Sequence, residues 1–414
     1  MRTMWRRACA VAVAPLVMAS AVACGGDSDQ AAGGTTLRVI VNITPNLTEK
    51  YWNTLFDSYE KAHPGVTVKL ELTGTIAADA KLRQDLAAGD PPDVVQQITP
   101  TADTASLFAD LSDQAWATKT PLADQYAVDG KHYMVGVGEQ IQSLVFYNKA
   151  AFEKAGLDAS AIRTMDDFTA AMGKLKGAGY QPLQTAGQWV TGGQFSMMAD
   201  AGVLTADPKW MAKRNAKKTS FADSGYVPYL KDYKGWIDKG YLQKSALGVT
   251  YADGQTAFLN GKSAMYVMGS FFVPAADAAK KSDGIGVFTM PTDGAYPSGQ
   301  FGNVSNPYVV VNKSPHKAEA IKFVKWATTD PKAIKSQLAS DGNLRQGFSY
   351  PMSSLGTSVQ KILDKAPSVI VKSGENQPIA GFSDELNKQV QSLYTGASPK
   401  AVADGLDKWW NSQQ

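Results

Sequence analysis

The chain has 414 residues, 44% of them hydrophobic, with 41 Lys and Arg against 38 Asp and Glu. That length exceeds one ordinary domain and can bury a large core, so two domains are expected. The formal charge of +3 comes from Arg2, Arg6 and Arg7; without them bases and acids balance at 38 each, which removes the electrostatic case for nucleic acid or an acidic membrane surface as partner.

The three arginines precede a small, apolar stretch, Ala8 to Ala23, broken by Pro15 and Ser20. Charged, apolar and then small is the order of a secretory signal peptide, here residues 1–23. The stretch is too short and interrupted for a membrane span, which takes about 20 strongly apolar residues. Arg6-Arg7 also fits a twin-arginine signal. "AVAC" followed by Gly25 and Gly26 makes Cys24 resemble the lipid-modified cysteine of bacterial lipoproteins, cut just before that residue and joined by a thioether to diacylglycerol. Ala21 stands where that pattern favours leucine, and Ala21-Val22-Ala23 also fits the A-x-A cleavage of an ordinary secreted protein. The expected location is extracytoplasmic, on the outer face of the cell membrane through lipid on Cys24, or free in the medium if Cys24 is unmodified. Cys9 leaves with the leader, so the exported part has no disulfide within it. Residues 24–35 offer nothing to bury and read as a flexible tether.

From Leu37 the texture changes. "LRVIV" suits a buried strand. Thr48 can cap a helix in which Trp52, Leu55, Phe56 and Tyr59 recur at helical spacing, and "HPG" ends it. "VTVKLEL" puts Val66, Val68 and Leu70 on one face of a strand. "AKLRQDLAAGD" reads as a helix, and "DVVQQ" as a strand. This alternation predicts an α/β protein with a parallel sheet covered by helices. It continues through the strand "LVFYN" (144–148). A helix follows from Thr164, with a near capping box to Asp167 and an apolar stripe of Phe168, Met172 and Leu175. "SAMYVMG" and "YVVVN" (308–312) are further strands. Ser314-Pro315 opens a helix lined by Ala320, Phe323, Val324 and Ala327.

Catalytic signatures are missing. His63, His132 and His316 are scattered without metal-ligand spacing, and no G-x-S-x-G elbow, P-loop, G-x-G-x-x-G or EF-hand loop occurs. No cofactor and no metal are expected. A glycosidase pair would need two carboxylates meeting across a cleft, for which the sequence has no motif. Aromatic residues do occur in turn-rich places: Trp189 in "TAGQWVTGG", and Phe271 and Phe272 after "AMYVMGS". Sugars present polar edges and flat C–H faces, so a cleft that binds them wants aromatic planes and amide or acid side chains. Trp210, Trp236, Trp326, Trp409 and Trp410 are expected in the core. Trp189, among Gly187, Gln188, Gly192 and Gly193, is expected at a site.

Six segments in order carry a family resemblance: "FDSYEKAHPGVTVKLEL", "KLRQDLAAGDPPDVV", "DGKHYMVGVGEQIQSLVFYNKAAFEKAGL", "TMDDFTAAMGKLKGAGYQPL", "GQTAFLNGKSAMYVMGSF" and "NKSPHKAEAIKFVKWATTD". Over nearly all of residues 37–414 the chain resembles the extracellular solute-binding proteins of bacterial ABC importers, in particular the sugar and oligosaccharide group that includes maltose-binding protein. The resemblance implies a type II periplasmic-binding-protein-like fold: two discontinuous α/β lobes around a hinge, one of residues 36–141 and 301–347, the other of 142–300 and 348–414. Hinge crossings are placed near Gln140–Gln142, Gln300–Asn303 and Gly347–Tyr350. It also implies a monomer that binds a sugar or oligosaccharide between its lobes, closes, delivers it to a membrane permease and does no chemistry on it. Carried over residue by residue, Phe271 stands where the family often has a stacking tryptophan. Trp189 and Gln188 occupy a second-lobe segment that contacts sugar rings. Asn42, Thr44 and Gln97 lie at strand ends facing the cleft, and Gln140, Asn303 and Arg345 lie at the three crossings. The alternatives are a binding protein of the same fold for a polyol, a phosphorylated polyol or a peptide, a secreted carbohydrate-active enzyme, and more distantly an adhesin.

Overall fold

The structure, a computed structural model, describes residues 34–73, 77–223, 225–292, 302–365 and 376–414. The leader, Cys24 and Gln300 lie outside the described residues. The strands in chain order are β1 (Thr35–Val41), β2 (Val66–Leu72), β3 (Val94–Gln96), β4 (Gly138–Ile141), β5 (Leu144–Asn148), β6 (Gln181–Gln184), β7 (Ser263–Met268), β8 (Ile285–Thr289), β9 (Gly302–Ser305) and β10 (Tyr308–Val310). β1 starts at Thr35, which pairs with Val66, so the expected tether loses its last residue to the sheet.

One four-stranded sheet has the order β10-β3-β1-β2. Its first three strands in sequence run parallel, joined through the helices Glu49–Ala62 and Ala78–Ala87 as the alternation predicts. β10 is antiparallel to β3, because the chain returns to this sheet after a long excursion instead of through a local crossover. The Glu49–Ala62 helix is capped by Thr48, whose Oγ1 accepts from the Tyr51 amide, and it buries Trp52, Leu55, Phe56 and Tyr59. Of the three residues assigned to one face of β2 only Val68 is fully buried, since this strand is the sheet edge. The helix expected to open at Ser314-Pro315 begins at Lys317. Ser314 Oγ instead donates to Asp93 and accepts from the His316 amide.

A second four-stranded sheet has the order β6-β7-β5-β8. β6 and β7 are parallel, whereas β5 pairs antiparallel with both β7 and β8. Thr164 and Asp167 close a full capping box on the helix Met165–Gly177, and Phe168, Met172 and Leu175 are buried under it. C-terminal helices Phe382–Ser392 and Pro399–Ser412 add Phe382, Leu386, Val390, Val402, Leu406 and Trp410 to the core of this sheet, and Trp210 and Trp236 are buried there too. The other sheet has its own core, running from Leu37 to Val137 and from Tyr308 to Leu338.

Between the sheets, β4 and β9 form a two-stranded antiparallel ribbon that pairs Gln140 with Asn303 and Ile141 with Gly302. The described parts of two of the expected crossings therefore lie side by side, and an antiparallel bridge from Glu139 to Leu344 brings the chain near the third against the same ribbon. No helix among the described residues is long and apolar enough to cross a membrane.

Candidate functional site

Trp189 sits between β6 and the helix Val190–Ala206, at the point where Gln188 adopts a left-handed φ of +53°. It is 40% exposed, unlike the buried Trp52, Trp210, Trp236 and Trp410. Its indole meets Tyr251 at 5.1 Å between ring centroids and Phe271 at 6.2 Å, both edge-on at 61°. Edge-on packing of this kind braces the ring. Two glycines make room for this cluster. A Cβ on Gly193 would fall 2.7 Å from Trp189 Cε3, and one on Gly269 would fall 2.5 Å from Phe271 Cε1.

The exposed tryptophan lines a cavity of about 560 Å³ together with Gln142, Gln188, Ser196, Met197 and Asn303. A second cavity of about 380 Å³ is lined by Gln97, Tyr126, Gln140, Asn303, Asn306 and Asp341. Asn303 and Pro378 border both, so the two adjoin and are taken together as the cleft; the second also meets, at Gln377 and Pro378, a cavity of about 830 Å³ whose lining includes Arg83 and Lys217. Each volume falls in the roughly 300–1,000 Å³ range of small-molecule sites. No Lys, Arg or His occurs among the described residues lining either half; the charged groups are Asp341 and Asp384.

Alternation along the β4 strand and its extension puts Gln140 and Gln142 on one side, and Gln142 Nε2 donates to Gln140 Oε1 at 2.8 Å. Gln140 Nε2 donates in turn to Asp341 Oδ2 at 3.1 Å and Asn343 Oδ1 at 3.2 Å. Asn46, in the loop after β1, donates through Nδ2 to Asp341 Oδ1 at 3.0 Å and to the Phe271 carbonyl at 2.8 Å. One amide thus ties the strand end of the first sheet to the turn after β7 in the second. Asp341 is 7% exposed, and burial pushes its carboxyl up to about 6, against the pull of the donors from Asn46, Asn343 and Gln140.

The other sequence candidates are distributed as follows. Asn42 Nδ2 donates to Gln97 Oε1 at 2.9 Å, pairing the ends of β1 and β3, and Gln97 takes a left-handed φ of +66°. Thr44 closes a local turn, its Oγ1 accepting from the Leu47 amide at 2.9 Å. Gln188 uses its Oε1 on the Tyr251 amide. Arg345 departs from expectation. Its Nη1 donates to the Val137 and Thr328 carbonyls, and the guanidinium lies over Phe348, so its charge is turned toward backbone oxygens beside the ribbon, in a depression separate from the cleft. The sequence reading missed Asn46, Tyr251, Asn306 and Asp341. Asn306-Pro307 and Asp341-Gly342 carry turn signals, which mark a bend without saying what it borders.

The family model described as bacterial extracellular solute-binding protein matches residues 44–334. The chain belongs to this family. It is 27% identical over 302 residues, 70% of each chain, to a multiple sugar-binding protein of Streptococcus mutans. Among solved structures, a chitin oligosaccharide binding protein matches with a TM-score of 0.78 at 24% identity, covering 92% of this chain and 98% of that one. A sugar transporter from Bacillus licheniformis in complex with stachyose matches at 0.73 and 19% identity, covering 92% and 100%. At these identities the structures establish the fold, the two-lobed architecture of type II solute-binding proteins. In this solute-binding protein the cleft lies where strand ends of the two sheets face each other, the general position of ligand sites in open α/β sheets.

Proposed function

We propose that this chain is the sugar-capturing component of an ABC importer, binding a neutral sugar or oligosaccharide between its lobes and presenting it to a membrane permease. The observation that carries the reading is Trp189. It is a large apolar ring, exposed at one end of the cleft and held edge-on by Tyr251 and Phe271, while amides line much of the rest. A pyranose C–H face rests on such a ring, and hydroxyls exchange hydrogen bonds with Gln140, Asn303 and the Asn42–Gln97 pair. The sugar names of the relatives point the same way. The lack of cationic lining among the described residues favours an uncharged ligand over a phosphorylated polyol.

The proposed lobes are residues 36–141 with 301–347 and 142–300 with 348–414, supported by the separate cores of the two sheets. The β4–β9 ribbon is the proposed hinge. Thr44 and Gln188 act by shaping the turns that carry ligand contacts, and Arg345 by bracing the ribbon. A ligand touching both lobes favours the closed state by contacts it makes only there. The protein performs no reaction, acts as a monomer, and is held outside the cell by lipid on Cys24.

Calorimetric titration of residues 36–414 with mono- and oligosaccharides, repeated with Trp189→Ala, tests this. Saturable binding without products is expected, with affinity falling about 10- to 150-fold in the variant, the equivalent of losing about 1.5–3 kcal/mol of aromatic burial. Sugar cleavage would replace the reading with an enzyme, and silence across the panel with a folded protein would move it to another solute.

A further inference from the structure

Asn306 lies between β9 and β10 and borders the half of the cleft away from Trp189. Three features set it apart. Its φ is +43°, in the left-handed region, although it precedes Pro307 and a residue before proline is driven toward extended backbone. The residue is 4% exposed. Among the described residues its Nδ2 has no hydrogen-bond partner, while Oδ1 accepts only a long 3.4 Å bond from Gln96 Nε2. Gln96 is fully buried, and its own Oε1 is likewise unpartnered among the described residues. In this orientation of the two amides the unmatched atom of Asn306 is its donor, Nδ2; with both amides turned over it would be the acceptor Oδ1, an arrangement in which Asn306→Asp would bind as wild type does.

Buried amide donors are almost always matched, because desolvating one without a partner is costly. Here the strained backbone holds the amide in place, and a cleft is its neighbour. Strain kept at a cleft, together with an unmatched donor, fits a group whose acceptor arrives with the ligand. The same half of the cleft holds Asp341, a carboxylate acceptor fixed by three amides, and Gln140. A donor and a charged acceptor bordering one small volume suit hydroxyl groups, which both accept and donate.

We propose that the Asn306 side-chain amide is a specificity-determining donor of this site, giving its N–H to one hydroxyl oxygen of the sugar at the amide-lined end of the cleft. This rests on the reading of the cleft as a sugar site. The aromatic end then supplies affinity for ring faces of many sugars, and the Asn306 end discriminates by hydroxyl position. Sites that hydrogen-bond a substrate hydroxyl reject the analogue that lacks it far more strongly than apolar pockets reject a change of size.

The test takes the sugar that binds wild-type protein most tightly and its monodeoxy analogues. Asn306→Gly removes the amide, and glycine adopts a φ of +43° freely, so the turn is kept. Asn306→Asp keeps the shape and removes the donor. Both variants are expected to bind the parent sugar about tenfold or more weakly. One deoxy analogue should bind wild type and Asn306→Gly equally, because its missing hydroxyl is the one the amide meets. A role confined to holding the turn would weaken every analogue by the same factor, which overturns the proposal. Trp189→Ala separates the levels. Wild type binding with Trp189→Ala weakened and both Asn306 variants unchanged overturns the Asn306 assignment alone. Wild type binding no sugar overturns the sugar reading and this one with it.

Discussion

Asp341 should leave a measurable mark on stability against pH. Burial raises its carboxyl from an ordinary value near 3.8 to about 6. The folded state therefore holds the proton more tightly than the unfolded chain does. Between those two values the native protein carries a proton that the unfolded chain has lost, so stability falls as pH rises through this window. Below it both states are protonated and the penalty is absent; above about 6 both are ionised and the penalty is complete. A shift of this size corresponds to about 3 kcal/mol at neutral pH. Asp341→Asn abolishes the titration, and reorienting the Gln140 and Asn343 amides can satisfy the new NH₂ group. The difference in unfolding free energy between variant and wild type should move in the variant's favour by up to about 3 kcal/mol from pH 4 to pH 7. That appears as a difference in melting temperature of about 4 °C for a chain this long. Glu139, also raised by burial, titrates in both proteins and cancels in the difference. Tyr51, Tyr251 and Tyr350 face the carboxylate and are pushed further up, so they stay neutral throughout. Chemical denaturation of both proteins at half-unit steps of pH measures the difference. A flat difference curve, or one that moves toward the wild type as pH rises, would refute the assignment of a raised carboxyl to this position.

Gly193→Ala places a methyl group 2.7 Å from the Trp189 ring, so the indole must move off its Tyr251 and Phe271 braces. Calorimetry should show sugar affinity falling about tenfold or more while the circular dichroism spectrum is retained. Arg345→Ala should lower stability by about 1–3 kcal/mol, since the Val137 and Thr328 carbonyls each lose a charged donor, and leave sugar affinity unchanged. Asn46→Ala removes two bonds, one of them to a buried carboxylate, and should weaken sugar binding about tenfold. Small-angle scattering of that variant with saturating sugar should show a larger radius than wild type.

Most of the fold was legible because its elements announce themselves locally. Trp52, Leu55, Phe56 and Tyr59 repeat at helical spacing behind a Thr48 cap, and the Thr164–Asp167 box is complete in four residues. The antiparallel placement of β10 was not legible, since its partner β3 lies some two hundred residues earlier and both strands are short apolar runs. Trp189 stood out in the site because Gly, Gln and Thr around it promise no core. Thr44 was placed near the cleft by its strand-end position and Gln188 by the family resemblance of its segment, yet their side-chain oxygens are engaged by the Leu47 and Tyr251 amides, and composition does not reveal such local capping. For Arg345, position at a crossing carried no information about the direction of the guanidinium. Asp341 escaped because its raised carboxyl depends on burial and on Asn46, 295 positions away in the chain.

The same distant contacts explain how this cleft can report that it is filled. Phe271 touches the Trp189 ring with its side chain and accepts from Asn46 with its carbonyl. Asn46 also holds Asp341, which Gln140 of the β4–β9 ribbon shares. On the proposed reading, a sugar face settling on Trp189 presses on a residue whose backbone is already tied, through Asn46 and Asp341, to the β4–β9 ribbon. On the same reading, movement of the proposed lobes away from each other would break the Asn46–Phe271 bond and loosen the brace behind the indole. Stacking and closure draw on one set of contacts, so a ligand that stacks well gains the closed state's hydrogen bonds as well as its own. A solute too small to reach Trp189 would bind the amides without that gain, and selection for ring-bearing ligands follows from the wiring as much as from the shape of the cavity.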